Sequence, residues 1–146
     1  MFRSTLLIFG VAIFNSSSVN GVGTAFIENW CNSEVYVWSV ANVLNDTVNY
    51  LAPTIGGFNE TYRTNPNSGG ISLKIATTED DSIITQFEYT YNPSNPNVYY
   101  DISNVNGYPF EEWGLALSPS APNCPSVSCD PGVAICADVY NQPHDD

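Results

Sequence analysis

The side chains best suited to covalent chemistry are four cysteines, Cys31, Cys124, Cys129 and Cys136, and one histidine, His144. The sequence has no Cys-x-x-Cys pair and only that one histidine, so we expect no metal site. A single histidine near the end also cannot organise a catalytic triad, and neither a glycine-rich phosphate loop nor a serine elbow is present. We therefore expect no cofactor. The even number of cysteines favours disulfides, and the residues alone leave every pairing open.

Carboxylates are the other chemically active group, with fifteen Asp and Glu residues against three Lys and Arg. Their densest run, Glu-Asp-Asp-Ser at 79–82, lacks the ligand spacing of an EF-hand, so we interpret it as a solvated hairpin turn. A chain this acidic is repelled by nucleic acid and by anionic membranes, and we expect neither as a partner. The charge suits an exported protein that meets neutral or cationic surfaces.

The first two dozen residues predict export. Arg3 precedes an apolar run at 5–14. This run has the length of a signal-peptide hydrophobic region and is too short to span a bilayer, which needs about 20 residues. Small residues near Gly21 and Gly23 suit cleavage, so we predict a signal peptide over 1–21, with a cut as late as 23 as the alternative. The competing interpretation of the apolar run is a buried N-terminal strand.

The elements that position these side chains are predicted to be short strands. Ring and polar side chains alternate over 87–91, Phe-Glu-Tyr-Thr-Tyr, as in a strand with one face on a core. Turn-forming residues are dense at 65–70 and 92–97, and no stretch carries a helical apolar stripe. We predict an all-β sandwich with little or no helix.

The residues after the leader, 22–146, are predicted to form one domain, since about 125 residues support one core but hardly two. We expect a monomer without a membrane-inserted segment. Sequons at Asn45 and Asn59 predict N-glycosylation, in agreement with export.

Several segments resemble thaumatin-like proteins. Residues 25–31, Ala-Phe-Ile-Glu-Asn-Trp-Cys, followed by 35–38, look like the opening strand pair of that family. Residues 85–87, Thr-Gln-Phe, and then 99–109 are similar to its central strands and the turn after them. The segment 136–146, Cys-Ala-Asp-Val-Tyr-Asn-Gln-Pro-His-Asp-Asp, resembles the family's Cys-Asp-Tyr-Pro-Asp-Asp segment and is the most specific. The short length resembles the compact fungal branch of yeast-phase-specific and antigenic proteins, which are secreted or associated with the cell wall. The resemblance implies a disulfide-stapled, thaumatin-like β-sandwich.

The resemblance also implies a disulfide pairing. In the family, the positions of Cys129 and Cys136 are joined to each other. Larger members supply later partners for the positions of Cys31 and Cys124, and this sequence ends at Asp146. Those two cysteines are left to pair with each other, stay free or cross-link between chains, and we predict a Cys31–Cys124 disulfide.

A ligand site follows from the same resemblance. The family's acidic cleft often binds β-1,3-glucan, and its carboxylate positions fall here on Gln86, Asp101, Asn106 and Asp138. The arginine of that cleft has no clear counterpart. Glycoside hydrolysis needs a carboxylic acid to protonate the leaving oxygen, and the amide of Gln86 cannot do so. We therefore predict that the protein is not an enzyme.

Neighbouring side chains complete the expected site. Glu88 can hydrogen-bond sugar hydroxyls, and Tyr99 and Tyr100 offer flat rings for stacking, although ordinary strand packing is the alternative for both tyrosines. The predicted function is a secreted, non-catalytic protein of the fungal wall or host interface that binds β-1,3-glucan or another surface component. The alternatives are a weak endo-β-1,3-glucanase and a structural or antigenic coat protein without a ligand.

Overall fold

The computed structural model describes residues 11–16, 22–42 and 47–145, the first of these as backbone only. The described residues form β-strands joined by turns and loops, and none of them lies in a helix. In chain order the strands are β1 (Val11–Ser16), β2 (Thr24–Asn29), β3 (Val35–Val40), β4 (Asn49–Leu51), β5 (Gly56–Thr61), β6 (Ile71–Ala76), β7 (Thr85–Asn92), β8 (Asn97–Ser103), β9 (Leu115–Pro119) and β10 (Val127–Cys129). The all-β prediction is confirmed. The described residues accordingly contain no helix capable of crossing a membrane.

The strands form two five-stranded sheets. Sheet A has the order β10-β9-β1-β2-β5, and sheet B has the order β4-β3-β6-β7-β8. Neighbouring strands within these sheets run antiparallel, apart from the parallel pair of β1 and β9. The alternation read at 87–91 is present in β7, where Phe87 and Tyr89 are buried while Glu88 between them is half-buried on the opposite face.

The core is built from both sheets. Its largest fully buried side chains are aromatic and aliphatic: Ile27, Leu51, Ile71, Leu73, Ile75, Phe87, Tyr89, Ile102, Phe110, Leu115 and Leu117. Each such side chain contributes about 1.5–3 kcal/mol when it leaves water. This burial fixes the strand register, because a slip of one residue would turn each inward side chain to the opposite face.

A polar cluster also ties the two sheets together. Glu60 on β5 of sheet A accepts hydrogen bonds from Ser39 on β3 and from the hydroxyl of Tyr89 on β7, both in sheet B. The Arg63 Nε lies 3.4 Å from the Glu60 carboxylate. Burial, followed by the hydrogen bond to Glu60, raises the pKa of Tyr89, so this phenol stays a donor.

Asn29 fastens the turn that follows β2. Its side-chain nitrogen lies 2.9 Å from the Ser33 carbonyl oxygen, 3.1 Å from that of Leu51 and 3.0 Å from that of Ala52. Its Oδ1 accepts from the Cys31 backbone N–H at 2.9 Å. Asn29 is 1% exposed, so its amide is satisfied by these backbone groups rather than by water.

The Cys129–Cys136 disulfide is confirmed, with a Cα–Cα distance of 5.4 Å, and it links the end of β10 to the C-terminal segment. The predicted Cys31–Cys124 disulfide is wrong, since neither cysteine is bonded in the described chain. The strand register explains why. The end of β2 at Asn29 and the start of β9 at Leu115 lie at the same end of sheet A, because both residues pair with Val11. Cys31 lies just beyond that end, whereas Cys124 follows the opposite end of β9. A disulfide requires Cα atoms within about 7 Å.

β1 occupies the middle of sheet A, between β2 and β9. Its first four residues, 11–14, belong to the apolar run 5–14 that we predict to be the hydrophobic region of a signal peptide. In the uncleaved chain this part of the run is thus a strand, as in the competing interpretation. Cleavage after residue 21 or 23 stays a prediction, and residue 21, like Asn45, lies outside the described residues.

Candidate functional site

The candidate site lies on the outer face of sheet B, across β6, β7 and β8. The side chains that alternate with the buried residues of β7 point away from the core. The register places Glu88 of β7 opposite Asp101 of β8 and Ser72 of β6, while Gln86 lies opposite Lys74 of β6. Two carboxylates therefore occupy facing positions on adjacent strands, where like charges destabilise each other.

These side chains line a groove of about 560 Å³, which is within the range of about 300–1,000 Å³ typical of small-molecule sites. Its polar and aromatic lining consists of Ser72, Lys74, Gln86, Glu88, Tyr89, Thr90, Tyr99, Tyr100, Asp101 and Tyr140. Four residues of the predicted site, Gln86, Glu88, Tyr99 and Asp101, thus lie together. The Tyr99 side chain is 65% exposed, so its ring is available to a ligand.

The amides at two predicted carboxylate positions bind each other. The Gln86 Nε2 donates to Asn106 Oδ1 at 3.1 Å, and the Gln86 Oε1 accepts from the Ser72 hydroxyl at 3.0 Å. Both ends of the Gln86 amide are thereby engaged. Asn106 adjoins the groove through this contact, and the pair forms a hydrogen bond where two carboxylates would repel each other.

Burial dominates the electrostatics of the facing carboxylates. Burial, with the Asp101 charge as a smaller cause, raises the pKa of Glu88, and burial raises the pKa of Asp101. The buried Asp101 Oδ1 has no hydrogen-bond partner among the described residues. Lys74 lies on the same face, but its Nζ is 2.9 Å from Asp81. Among the described residues, no ion pair with a cation engages the Glu88 or Asp101 carboxylate, so both present acceptor oxygens to the groove.

Asp138 is not brought into this groove. It is exposed and lines a neighbouring cavity of about 660 Å³ on the C-terminal segment. That segment is anchored to β8, where the Tyr140 N–H donates to the Ile102 carbonyl at 3.0 Å and the Tyr140 carbonyl accepts from Asn104 at 2.7 Å. Tyr100, Asp101 and Tyr140 line both cavities, so Asp101 adjoins the cavity that contains Asp138. Tyr140 lies in the distinctive 136–146 segment but was not among the predicted site residues.

Tyr100 packs on the opposite face from Tyr99. Its ring lies against the core, with its centroid 6.1 Å from that of Phe87. Its hydroxyl donates to the Pro125 carbonyl oxygen at 2.9 Å. For Tyr100 the strand-packing alternative is the observed one, whereas Tyr99 remains a candidate for stacking on a sugar.

An aromatic cluster also lies on the outer face of sheet B, and sequence reasoning missed it. The rings of Tyr36 and Trp38 on β3 are stacked at 6.4 Å, and Tyr50 on β4 meets Tyr36 edge-on at 6.0 Å. Trp38 packs with Ala76 and Ile84 in a small cluster separate from the main core. Tyr50 is 55% exposed. The two aromatic residues Tyr36 and Trp38, spaced two apart in the sequence, were the available signal.

The fold and the groove define a thaumatin-like β-sandwich. The chain belongs to the Blastomyces yeast-phase-specific protein family (Bys1), whose model matches residues 12–145. It is 46% identical over 125 residues to an antigenic thaumatin-like protein of Arthroderma benhamiae, covering 86% of this chain and 63% of that protein. It thus spans less than two thirds of that relative's length.

Two further similarities agree with this membership. The chain is 33% identical over 131 residues to the secreted thaumatin-like protein calA of Emericella nidulans, covering 88% of this chain and 73% of that protein. The crystal structure of the protein elicitor MoHrip2 from Magnaporthe oryzae superposes with a TM-score of 0.63 at 25% identity, covering 92% of this chain and 84% of that one.

Proposed function

We propose that this protein is an extracellular thaumatin-like protein that binds β-1,3-glucan on the outer face of sheet B without hydrolysing it. The observation that carries the proposal is the groove in which the exposed Tyr99 ring adjoins the Glu88 and Asp101 carboxylates. An aromatic ring packs on the apolar face of a pyranose, and carboxylate oxygens accept hydrogen bonds from sugar hydroxyls. The extracellular location is supported by the secreted relative.

The aromatic cluster on β3 and β4 supports a polymeric ligand. Tyr36 and Tyr50 lie on the same outer face as the groove, on the strands beyond β6. A glucan chain that leaves the groove across sheet B would meet these rings. Because a neutral polysaccharide carries no charge, the protein's net charge of −12 would not oppose its approach.

The side-chain chemistry and hydrogen bonds of Gln86 support the absence of hydrolysis. Its amide is held by Ser72 and Asn106 and cannot release a proton to a leaving oxygen. A weak endo-β-1,3-glucanase remains the second candidate, because the raised pKa of Glu88 beside Asp101 favours the protonated form that a general acid needs.

Sedimentation with insoluble β-1,3-glucan tests the binding. The full chain should pellet with the polysaccharide at both low and high salt, and Tyr99→Ala should stay largely in the supernatant. Ile55→Ala is the matched control, since Ile55 is 87% exposed and lies outside the groove. Wild-type protein that stays in the supernatant would refute glucan binding and favour a coat protein without a ligand.

A reducing-end assay on laminarin separates binding from catalysis. The proposal expects no release of reducing ends by the wild-type chain. Release that disappears in both Glu88→Gln and Asp101→Asn would instead establish the glucanase. Each variant should also be examined in the sedimentation assay, because loss of binding alone would abolish turnover.

A further inference from the structure

The groove on sheet B holds a pair of carboxylates whose negative charge is unbalanced. Glu88 of β7 and Asp101 of β8 face each other directly. Lys74 lies on the same face, but it faces Gln86 across the strands and forms its ion pair with Asp81. Among the described residues, neither carboxylate of the facing pair takes part in an ion pair.

The spacing of the pair suits one positive group between the two carboxylates. Directly facing residues on antiparallel strands have Cβ atoms about 4.5–5.5 Å apart, and like charges at that separation repel each other. The buried Asp101 Oδ1 also has no hydrogen-bond partner among the described residues. A ligand hydroxyl would give this oxygen a donor. A ligand ammonium would give it a donor and remove the repulsion as well.

Tyr99 lies beside the carboxylate pair. It precedes Asp101 by two residues on β8, so both side chains point to the same face of the sheet. A strand rises about 3.3 Å per residue, which places the two side chains about 6.6 Å apart along β8. The Tyr99 side chain is 65% exposed. A pyranose stacked on this ring can therefore place one of its substituents between Glu88 and Asp101.

A metal ion fits the same pair less well than an ammonium group. Ca²⁺ takes about six to eight oxygen ligands. The described residues contain no group of three or more His, Cys, Asp or Glu side chains able to hold a metal ion. An ammonium group has only three N–H donors, which two carboxylates and one further oxygen satisfy.

We infer that the groove on sheet B recognises amino sugars, with the protonated amine between Glu88 and Asp101 and the pyranose ring on Tyr99. The inference rests on the proposed function, because it places a sugar in the same groove, and it adds a preference for positive charge. A neutral glucan uses the ring and the hydrogen-bond acceptors alone. An amino sugar uses the charge of the carboxylate pair in addition.

Two tetrasaccharides that differ only in one substituent test the preference for charge. A β-1,4-linked glucosamine tetramer carries an ammonium group at each position where the β-1,4-linked glucose tetramer carries a hydroxyl. Calorimetric titration of the full chain at pH 6 should show that the glucosamine tetramer binds at least about tenfold more tightly. Salt at about 0.15 M weakens the general attraction between a cation and a protein of net charge −12.

Single substitutions assign the preference to the groove. Glu88→Gln should reduce the preference for the glucosamine tetramer to less than about threefold, because it removes one of the two carboxylates. Tyr99→Ala should weaken the binding of both tetramers. Glu111→Gln is the matched control, since it removes the same charge from an exposed residue outside the groove. This control should change the preference by less than about twofold.

Three results would overturn the inference. The first is equal or absent binding of the two β-1,4-linked tetramers. The second is a preference that Glu88→Gln and Glu111→Gln lower equally, because the attraction would then belong to the whole protein. The third is binding of CaCl₂ alone that displaces the glucosamine tetramer, which would make the pair a metal site.

A β-1,3-linked glucose tetramer separates this inference from the proposed function. If it binds while the two β-1,4-linked tetramers bind equally, the amino-sugar inference fails and glucan binding stands. If it does not bind while the glucosamine tetramer keeps its Glu88-dependent preference, glucan binding fails and the amino-sugar inference stands.

Discussion

Replacing Asn29 by aspartate should destabilise the fold more than any surface substitution. The change preserves the size of the side chain and the Oδ1 acceptor for the Cys31 N–H, but it removes the nitrogen that contacts the carbonyls of Ser33, Leu51 and Ala52. A buried acceptor that loses its donor costs about 1–3 kcal/mol, and an unpaired buried charge costs about 3–5 kcal/mol. We expect a loss of about 4 kcal/mol at pH 7.

Urea unfolding measures this loss. With a slope of about 2 kcal/mol per molar urea, the midpoint should fall by roughly 2 M. Asn32→Asp is the matched control: it is the same change three positions along the chain, at an exposed residue whose Oδ1 accepts from Trp113 Nε1 at 3.1 Å. Because aspartate keeps that acceptor, the control should move the midpoint little.

The pH dependence provides a second check on the same variant. Burial should raise the pKa of the new carboxyl in the folded state, so its cost is complete above that folded-state pKa and fades as the pH falls from there to the unfolded-state pKa. The gap between Asn29→Asp and wild type should therefore narrow in acid. A midpoint shift no larger than that of Asn32→Asp, or a gap independent of pH, would refute the role assigned to the Asn29 amide.

Three further changes test other parts of the structure. Glu88→Gln should raise the melting temperature at pH 7, because the raised pKa of Glu88 means that its ionised form is disfavoured in the folded state. The gain in melting temperature should vanish below pH 4.5, the ordinary pKa of this carboxyl, and a gain at all pH values would contradict this origin. Cys136→Ser should lower the free energy of unfolding, measured in urea, by about 2–3 kcal/mol, which is the loop-closure value for a disulfide to Cys129 with a sequence separation of 7. An unchanged urea midpoint would contradict a stabilising role for this disulfide. A maleimide should label Cys124 in the native protein and Cys31 only after unfolding, since Cys31 is buried and burial raises its pKa to about 12. If neither cysteine were labelled even after unfolding, the Cys31–Cys124 disulfide would be present after all.

The strands were predictable because their alternation is local. Phe87 and Tyr89 are buried while Gln86 and Glu88 face outward, as period-two spacing requires. The Cys129–Cys136 bond was implied by the family resemblance. The separation of Cys31 from Cys124 depends on how the strands of sheet A are aligned, which no local pattern records.

The candidate site was predictable only in part. The resemblance led to the groove through Gln86, Tyr99 and Asp101, but Asp138 lies in a neighbouring cavity because the C-terminal segment docks beside β8 rather than over it. The aromatic cluster was missed because β3 carries apolar side chains on both faces. Val37 is fully buried in the main core and Trp38 is 9% exposed in the outer cluster, so alternation there does not separate inside from outside.

Residues 11–16 show the limit of sequence reasoning most clearly. A short apolar run satisfies both a signal-peptide hydrophobic region and a central strand, since each requires only apolar residues without charge. Position 13 lies opposite Ile27 and Leu117 because β1 pairs with β2 on one side and with β9 on the other. Pairing with strands this distant in the sequence depends on the whole sheet and leaves no local pattern.

The central claim is that the outer face of sheet B binds β-1,3-glucan. Its most direct test is amide chemical-shift mapping of the full chain during titration with a soluble β-1,3-glucan oligosaccharide. The shifts should cluster on β6, β7 and β8, with the largest at Ser72, Glu88 and Tyr99, and no sugar should be hydrolysed during the titration. An unchanged spectrum, or shifts confined to sheet A, would contradict the claim.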